Sequence, residues 1–189
     1  MPDKFSNDFI TALKNHDTKT LLTIPKSDVH NHLGRGCRVE RLSELQNQNY
    51  WLTKIKSADW AAAKYLAELV ETKQFHTLCG STSKVFLLIE NQDLISFCTF
   101  AEKDDIPDTD LTPWIGFVYT VPQFRGKRRI GILIDHICSL AKNEGHKNIY
   151  ISTDQQGLYE NFGFSYDRTL KDRNGEDSLV YKHSLEQKR

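Results

Sequence analysis

A short basic loop holds the most chemically suggestive residues of this 189-residue chain. Within Gln123–Arg129, four lysine or arginine side chains fall in five consecutive positions, and Gly126 lies among them. An apolar pattern with helical spacing follows at once, so the loop precedes a helix N-terminus, where unpaired N–H groups and partial positive charge favour phosphate. Glycine lets the backbone approach a ligand closely. The loop is predicted to cradle a pyrophosphate, although a solvated basic turn has the same composition.

A second segment that could do chemistry, residues 152–164, contains Tyr159. It follows the short apolar stretch Asn148–Thr153, so in a wound sheet it begins at the same edge as the basic loop. Tyr159 would project from a short helix near that edge, where it either acts chemically or packs as an aromatic. Neither the phosphate-binding pattern GxxxxGK[ST] nor the dinucleotide pattern GxGxxG occurs in the chain.

Residues 112–143 must position the basic loop, and they predict a strand, a loop and a helix. The strand is expected to end at Pro122, because proline cannot donate a ladder hydrogen bond. Gly145 is a predicted C-terminal stop for the helix. The apolar face of the helix recurs at intervals of three and four residues and consists of Ile130, Leu133, Ile134, Ile137 and Ala141.

The sequence patterns on either side of residues 112–143 predict a mixed sheet covered by helices. Residues 84–90 and 94–102 predict an antiparallel hairpin, and residues 164–170 and 178–185 predict a second strand pair. The residues 148–153 between them predict a short buried strand.

The N-terminal part of the chain predicts further elements. Residues 50–56 are predicted as a strand, and short helices are predicted at residues 4–15 and 38–46. A longer helix, capped by Ser57 or Asp59, follows. Its apolar stripe consists of Ala62, Tyr65, Leu66, Leu69 and Val70.

Composition excludes several classes of protein. Apolar residues make up 39% and charged residues 26% of the chain, as in globular domains, and 25 basic side chains balance 25 acidic ones. No global field therefore favours nucleic acid or an anionic membrane. The four cysteines form no CxxC pair, and Cys98 and Cys138 lie in apolar patterns as expected of reduced core residues. Without an export signal or an 18-residue apolar run, we expect a cytoplasmic protein that does not enter a membrane.

The sequence VPQFRGKRRIGILI at residues 121–134, followed by GLYENFGF at residues 157–164, resembles the GCN5-related N-acetyltransferase (GNAT) superfamily. The resemblance covers about residues 48–189. It implies an α+β fold in three layers, α/β/α, with a central mixed, mostly antiparallel sheet, the acyl-CoA N-acyltransferase fold. Ahead of this domain, residues 1–47 would form a short, mainly helical extension.

The resemblance also implies an activity and a set of site residues. The activity is transfer of an acetyl group from acetyl-CoA to a primary amine of a small molecule or peptide. No metal is expected, and the protein could form a homodimer. Tyr159 matches the tyrosine that protonates the leaving coenzyme A thiolate. Asp154 occupies the position of an asparagine that contacts pantetheine in many members. Pantetheine would pair with the backbone of Val118, Tyr119 and Thr120, and pyrophosphate with the backbone of Arg125, Gly126, Lys127, Arg128 and Arg129.

One loop residue departs from the family pattern, and the resemblance does not assign the general base. Arg128 occupies a loop position where the family carries a small residue. The base that accepts the proton of the amine has four candidates, which are the carboxylates of Asp104, Asp105 and Asp110 and the hydroxyl of Tyr119. The acidic loop Glu102–Asp110 weakly indicates a cationic acceptor such as a polyamine or a lysine-like amine.

The segment IPKSDVHNHLGRG at residues 24–36 resembles the start of adenosine deaminase-like amidohydrolases. His30 and His32 would share one face of a strand and could bind one ion. Those enzymes, however, need a complete barrel of roughly 250 residues to supply the other ligands. Two alternatives to an acetyltransferase therefore remain at this stage, a metal-binding remnant and a catalytically silent module that binds coenzyme A or a partner.

Overall fold

The computed structural model describes residues 36–186, which build a seven-stranded mixed sheet flanked by helices. The compact unit Arg38–Arg189 contains all of this sheet except the first residue of its first strand. The strands are β1 (Cys37–Arg41), β2 (Lys84–Glu90), β3 (Asp93–Ala101), β4 (Trp114–Thr120), β5 (Asn148–Thr153), β6 (Ser165–Lys171) and β7 (Asp177–Ser184). The helices are α1 (Gln48–Lys56), α2 (Ala61–Glu71), α3 (Phe75–Cys79) and α4 (Ile130–Asn143), with single 3-10 turns at Leu42–Glu44, Pro122–Phe124 and Tyr159–Phe162.

The strand order is β1-β2-β3-β4-β5-β7-β6. Antiparallel pairs join β2 to β3, β3 to β4, β5 to β7 and β6 to β7, whereas β4 and β5 are parallel. Helices cover both faces. Buried residues of α1 and α2 form one cluster with Leu87, Phe97 and Tyr119 of the sheet, and on the opposite face His136 of α4 contacts the ring of Phe86. The predicted three-layer α+β fold is confirmed.

Most of the predicted elements after residue 57 are confirmed. The two hairpins, β4, α4 and β5 fall where the patterns place them, and Gly145 ends α4 with a positive φ of 88°. Residues of α2 form a helix as expected, but its buried face is rotated by about one position. Ala63, Leu66 and Ala67 are fully buried, whereas Tyr65 stays 47% exposed. Helix α3 has only five residues, which is fewer than two helical turns, so no repeating apolar pattern identifies it.

Two predictions ahead of residue 57 are wrong. Residues 50–56 lie in α1 rather than in a strand, because the buried residues Trp51, Leu52 and Ile55 follow helical spacing and pack against the sheet. Residues 38–46, predicted as a helix, instead supply β1 and a 3-10 turn. The edge of β2 accepts β1 as a seventh strand, and this long-range pairing overrides a weak local helix preference.

Several predictions concern residues outside the range 36–186. The helix at residues 4–15 and the His30–His32 pair lie outside the described residues, and the domain boundary at residues 47 and 48 stays a prediction. None of the helices within residues 36–186 is long and apolar enough to cross a membrane. Cys98 is fully buried and Cys138 partly buried, and both are free thiols.

Candidate active site

The parallel strands β4 and β5 separate soon after they meet. Their register contains one pair, Trp114 opposite Tyr150, and Tyr150 N–H donates to the carbonyl of Pro113 at 3.0 Å. Beyond that pair, the edge of β4 that faces β5 has no strand partner within residues 36–186. A cleft of about 1180 Å³ opens there, walled by β4, the end of β5, the basic loop and the start of α2.

A bulge in β4 shapes the wall of this cleft. Thr99 of β3 pairs with Gly116, but two residues earlier Phe97 pairs with Tyr119, so β4 holds one extra residue. Phe117 within the bulge has a φ of 49°, which is a rare backbone conformation for a bulky side chain. The extra residue keeps Gly116, Phe117 and Tyr119 on the face that α1 and α2 cover.

Asp104 lies in the notch where β4 and β5 part. Its Oδ2 accepts a hydrogen bond of 2.8 Å from the hydroxyl of Ser152, two residues beyond Tyr150 on β5. Its Oδ1 lies 3.2 Å from the position that a Cβ on Gly116 would take, two residues beyond Trp114 on β4. A larger residue at position 116 would crowd this carboxylate, which would have to shift by a few tenths of an ångström. The carboxylate of Asp104 therefore bridges the two strands at the point where their pairing ends.

The surroundings of Asp104 keep its carboxyl group partly protonated near neutrality. Burial and the neighbouring charge of Asp105 raise its pKa to about 6, and they outweigh the opposing effects of the Ser152 hydrogen bond and the Arg173 charge. The guanidinium of Arg173 also donates to the backbone carbonyl of Asp104 at 3.2 Å, which fixes the loop. A carboxylate with this pKa is poised to exchange a proton at cellular pH.

Tyr159 enters the cleft from the 3-10 turn after β5. The side chain is buried, with its ring against Phe164, whose N–H donates to the Tyr159 carbonyl at 3.2 Å. Burial raises the pKa of the Tyr159 hydroxyl above its usual value, and the charges of Cys98, Asp104 and Asp154 raise it further. The phenol therefore stays protonated at neutral pH and can act as a proton donor.

The basic loop runs into the N-terminus of α4. The first N–H groups with helical partners belong to Gly131 and Ile132, so the N–H groups of residues 126–130 precede the hydrogen-bonded turns. Gly126 and Arg128 both adopt positive φ, at 76° and 53°. The left-handed conformation at position 128 is the physical reason why a small residue fits there.

Protein contacts engage three of the four cationic side chains. Arg125 donates to the Thr120 carbonyl at 2.9 Å, and Arg128 donates to the Asn161 carbonyl at 2.8 Å. Arg129 forms an ion pair of 2.9 Å with Glu90. Lys127 is exposed. The groups that remain for an anion are therefore chiefly backbone N–H groups, with the guanidinium charges around them.

Nine of the ten residues predicted for the site line this one cleft, and Lys127 does not. The nine are Val118, Tyr119, Thr120, Arg125, Gly126, Arg128, Arg129, Asp154 and Tyr159. Among the four candidate bases, Asp104, Asp105 and Tyr119 line the cleft and Asp110 does not. The sequence analysis did not identify Gly116 or Ser152 as site residues. Each lies two residues beyond the Trp114–Tyr150 pair on its own strand, and residues two apart on a strand share a face.

Two buried hydroxyl groups beside the cleft have no hydrogen-bond partner in the described part of the chain. These are the Tyr119 hydroxyl and Thr99 Oγ1, on side chains that are only 6% and 1% exposed. Thr99 Oγ1 lies 3.0 Å from the same Cβ position on Gly116 that Asp104 approaches. Buried polar groups are normally paired, so these two hydroxyl groups depart from the usual pattern. Within residues 36–186, no group of three or more His, Cys, Asp and Glu side chains is arranged to hold a metal ion.

Comparison with known proteins agrees with this geometry. A model of the acetyltransferase (GNAT) family matches residues 47–164. A GNAT-family protein from Desulfovibrio desulfuricans has a similar fold, with a TM-score of 0.62, 16% identity and coverage of 79% of this chain and 99% of that chain. A search of curated protein sequences gave no match.

Two further solved structures share the fold. A GNAT family acetyltransferase from Elizabethkingia anophelis, solved with acetyl-CoA bound, has a TM-score of 0.53 and 16% identity, over 79% of this chain and 98% of that chain. An N-acetyltransferase from Staphylococcus aureus has a TM-score of 0.54 and 19% identity, over 79% of this chain and 99% of that chain. With the family model matching more than half of its length, this chain belongs to the acetyltransferase (GNAT) family.

Proposed function

We propose that the protein transfers an acetyl group from acetyl-CoA to a primary amine by direct attack. The observation that carries the proposal is the parting of β4 and β5, with Asp104 in the notch, Tyr159 beside it and the basic loop at the cleft's other end. Backbone groups, an acid and a base thus converge on one cleft, which is the arrangement that acyl transfer needs.

The cleft fits the parts of acetyl-CoA. The edge of β4 that has no strand partner, near Val118 and Tyr119, faces the amides of a pantetheine arm in this proposal, while Arg125 occupies the Thr120 carbonyl. The N–H groups at residues 126–130 offer donors to a pyrophosphate at the start of a 14-residue helix. Asp154, exposed at the end of β5, also borders the path of the arm. Acetyl-CoA supplies the activated thioester, and the protein supplies orientation and proton transfer.

Asp104 and Tyr159 have complementary roles in this proposal. Asp104 accepts the proton that the attacking nitrogen loses, while Tyr159 donates its hydroxyl proton to the leaving sulfur. One N–C bond forms and one C–S bond breaks, so the products are the N-acetylated amine and the free thiol of coenzyme A. Backbone N–H groups of β4 would stabilise the negative charge that develops on the carbonyl oxygen. No covalent enzyme intermediate is needed, and Cys98 and Cys138 remain structural.

Asp104 is the preferred base among the candidates for geometric and electrostatic reasons. The Asp105 side chain is exposed, and the Asp110 side chain lies outside the cleft. The Tyr119 ring is stacked on Trp60 with a centroid distance of 5.6 Å, which holds it within the wall. Asp104 and Asp105 both accept the Ser152 hydroxyl, at 2.8 and 3.0 Å. The Asp104 side chain is the less exposed of the two, and its raised pKa makes it a better proton acceptor than an ordinary aspartate.

Replacing Tyr159 with phenylalanine tests the role of the acid. We expect Tyr159→Phe to lower kcat about 100-fold, within the usual range for loss of a general acid, while the KM for acetyl-CoA stays close to that of the wild type. Release of the coenzyme A thiol, followed with a thiol reagent, measures the rate. Tyr166→Phe is the matched control, since Tyr166 is 55% exposed on β6 and outside the cleft. Unchanged turnover in Tyr159→Phe would show that another group protonates the thiolate.

A further inference from the structure

We propose that the acceptor is a primary amine carried on an aromatic or other apolar body. The inference rests on the proposed acetyl transfer and names the class of its second substrate. It follows from the wall of the cleft on the α1–α2 side, where aromatic side chains line the same cleft as the carboxylate of Asp104. This wall has two parts, an aromatic surface and a polar end.

The aromatic surface comes from the start of α2 and from the β4 bulge. Trp60 stacks on Tyr119 with an interplanar angle of 9° and a centroid distance of 5.6 Å. Tyr65 approaches Phe117 with a centroid distance of 6.5 Å. Leu78 of α3 completes this surface, and all five side chains line the cleft. A pocket with such walls gains binding energy from apolar area rather than from ion pairs.

Packing of the protein core does not explain the position of Tyr65. The buried face of α2 consists of smaller aliphatic residues, and Tyr65 lies beside that face with 47% of its surface exposed. Phe117 is likewise only partly buried, and the bulge that carries it has the unfavourable positive φ of 49°. Two aromatic rings that are exposed towards the same cleft form a surface suited to a flat apolar ligand.

The polar end of the wall suits one ammonium or amino group. Asp104 lies in the notch, with the unpartnered hydroxyl of Thr99 beside the same Gly116 position. The second unpartnered hydroxyl belongs to Tyr119, in the aromatic wall. An amine nitrogen at the notch would therefore find a carboxylate to accept its proton and aromatic faces that favour a cation. One such group is enough for a monoamine.

Two of the acidic side chains that line the cleft are engaged within the last hairpin. Asp177 forms an ion pair of 2.8 Å with Lys171, and the carboxylate of Asp172 accepts the N–H groups of its own turn. In the acidic loop, Glu102 accepts the N–H and hydroxyl of Thr82 at 2.6 and 2.7 Å instead of bordering the cleft. Two other carboxylates of this loop, those of Asp104 and Asp105, do line the cleft, but both accept the Ser152 hydroxyl and therefore mark one position for a cation.

An amine panel with acetyl-CoA in excess tests the proposal. We expect kcat/KM for 2-phenylethylamine to exceed that for spermidine and for ethanolamine by at least about tenfold, as burial of an aromatic ring predicts. Tyr65→Ala should raise the KM for 2-phenylethylamine about tenfold and change the KM for acetyl-CoA little. Tyr50→Ala is the matched control, because Tyr50 is 44% exposed on α1 and outside the cleft. Preference for spermidine, or an unchanged KM in Tyr65→Ala, would overturn the inference.

Calorimetry of 2-phenylethylamine with the full chain loaded with coenzyme A separates this inference from the proposed function. Binding that weakens in Tyr65→Ala but not in Tyr50→Ala supports the acceptor class even when no acetyl transfer is observed, and in that case the proposed function fails alone. Transfer to other amines without binding of 2-phenylethylamine leaves the function in place and overturns the acceptor class.

Discussion

Asp104 is the residue on which the proposed chemistry of this cleft depends. Its carboxylate touches both strands of the notch, through Ser152 and through the space left by Gly116. The sequence places it only in an acidic loop with four other carboxylates, and nothing in that pattern distinguishes it. The distinction arises from burial between two strands, which is a property of the fold and not of local sequence.

Replacing Asp104 with asparagine should stabilise the protein at alkaline pH while lowering its activity. The folded-state pKa of about 6 lies above the usual value of 3.8, so the protonated form is favoured by folding, and this stabilisation is lost as pH rises through about 6. Asparagine keeps a neutral side chain at every pH. We expect Asp104→Asn to raise the free energy of unfolding at pH 8 by about 1–3 kcal/mol, with a smaller gain at pH 5.

Thermal unfolding at the two pH values measures this effect, with Asp110→Asn as a control for removal of a carboxylate outside the cleft. The activity of the wild type should also fall as pH drops below about 6, because Asp104 becomes protonated. A variant Asp104→Asn that is less stable than the wild type at pH 8, or that keeps full turnover, would contradict the role assigned to this residue.

Arg128 shows how a departure from the family pattern can be accommodated. Its φ of 53° requires the left-handed conformation, which costs a non-glycine residue about 1 kcal/mol. The side chain offsets part of this cost through its hydrogen bond to the Asn161 carbonyl and its position 5.7 Å from the centre of the Phe162 ring. The basic loop is thereby tied to the turn that carries Tyr159.

At the scale of elements, strand and helix patterns predict most of the domain because each is a local signal. The apolar stripe of α4 and the two hairpins follow directly from periodicity. The β4 bulge and the parting of β4 and β5 do not, since both depend on which strands become neighbours. The strand prediction for residues 50–56, which form α1, is wrong because aromatic and β-branched residues favour strands when packing is ignored.

Gly116 tests whether the notch must stay open. In Gly116→Ala the new Cβ would lie 3.0 Å from Thr99 Oγ1 and 3.2 Å from Asp104 Oδ1, so the carboxylate must shift. We expect kcat to fall about 10-fold to 100-fold, as for other small displacements of catalytic groups. The affinity for coenzyme A should change little, because the basic loop lies at the far end of the cleft. Steady-state kinetics and calorimetry measure the two quantities.

A second substitution controls for this crowding. Thr99→Ala removes the shorter of the two contacts, so the double variant should recover part of the lost turnover. Equal kcat in Gly116→Ala and the wild type, or loss of coenzyme A binding together with turnover, would show that the notch does not position the base as described.

At the scale of the whole molecule, the family match and the cleft rest on partly different residues. The family model covers residues 47–164, whereas the cleft also uses Arg173 and Asp177 from the last hairpin. The motif around Arg125–Gly126 and Tyr159 predicts the family from sequence, and acetyl-CoA as the co-substrate stays part of the proposed function. The acceptor was not predictable, because its wall combines α2, α3 and the β4 bulge, which only the folded sheet brings together.

Amine-dependent release of the coenzyme A thiol is the most direct test of acetyl transfer by this protein. The full chain is mixed with acetyl-CoA and 2-phenylethylamine, and thiol and product are quantified together by a thiol reagent and mass spectrometry. We predict that thiol and N-acetylated amine form in equal amounts and that both depend on the amine. Binding of acetyl-CoA without amine-dependent thiol release across a broad amine panel would contradict catalysis and identify the protein as a silent coenzyme A-binding module.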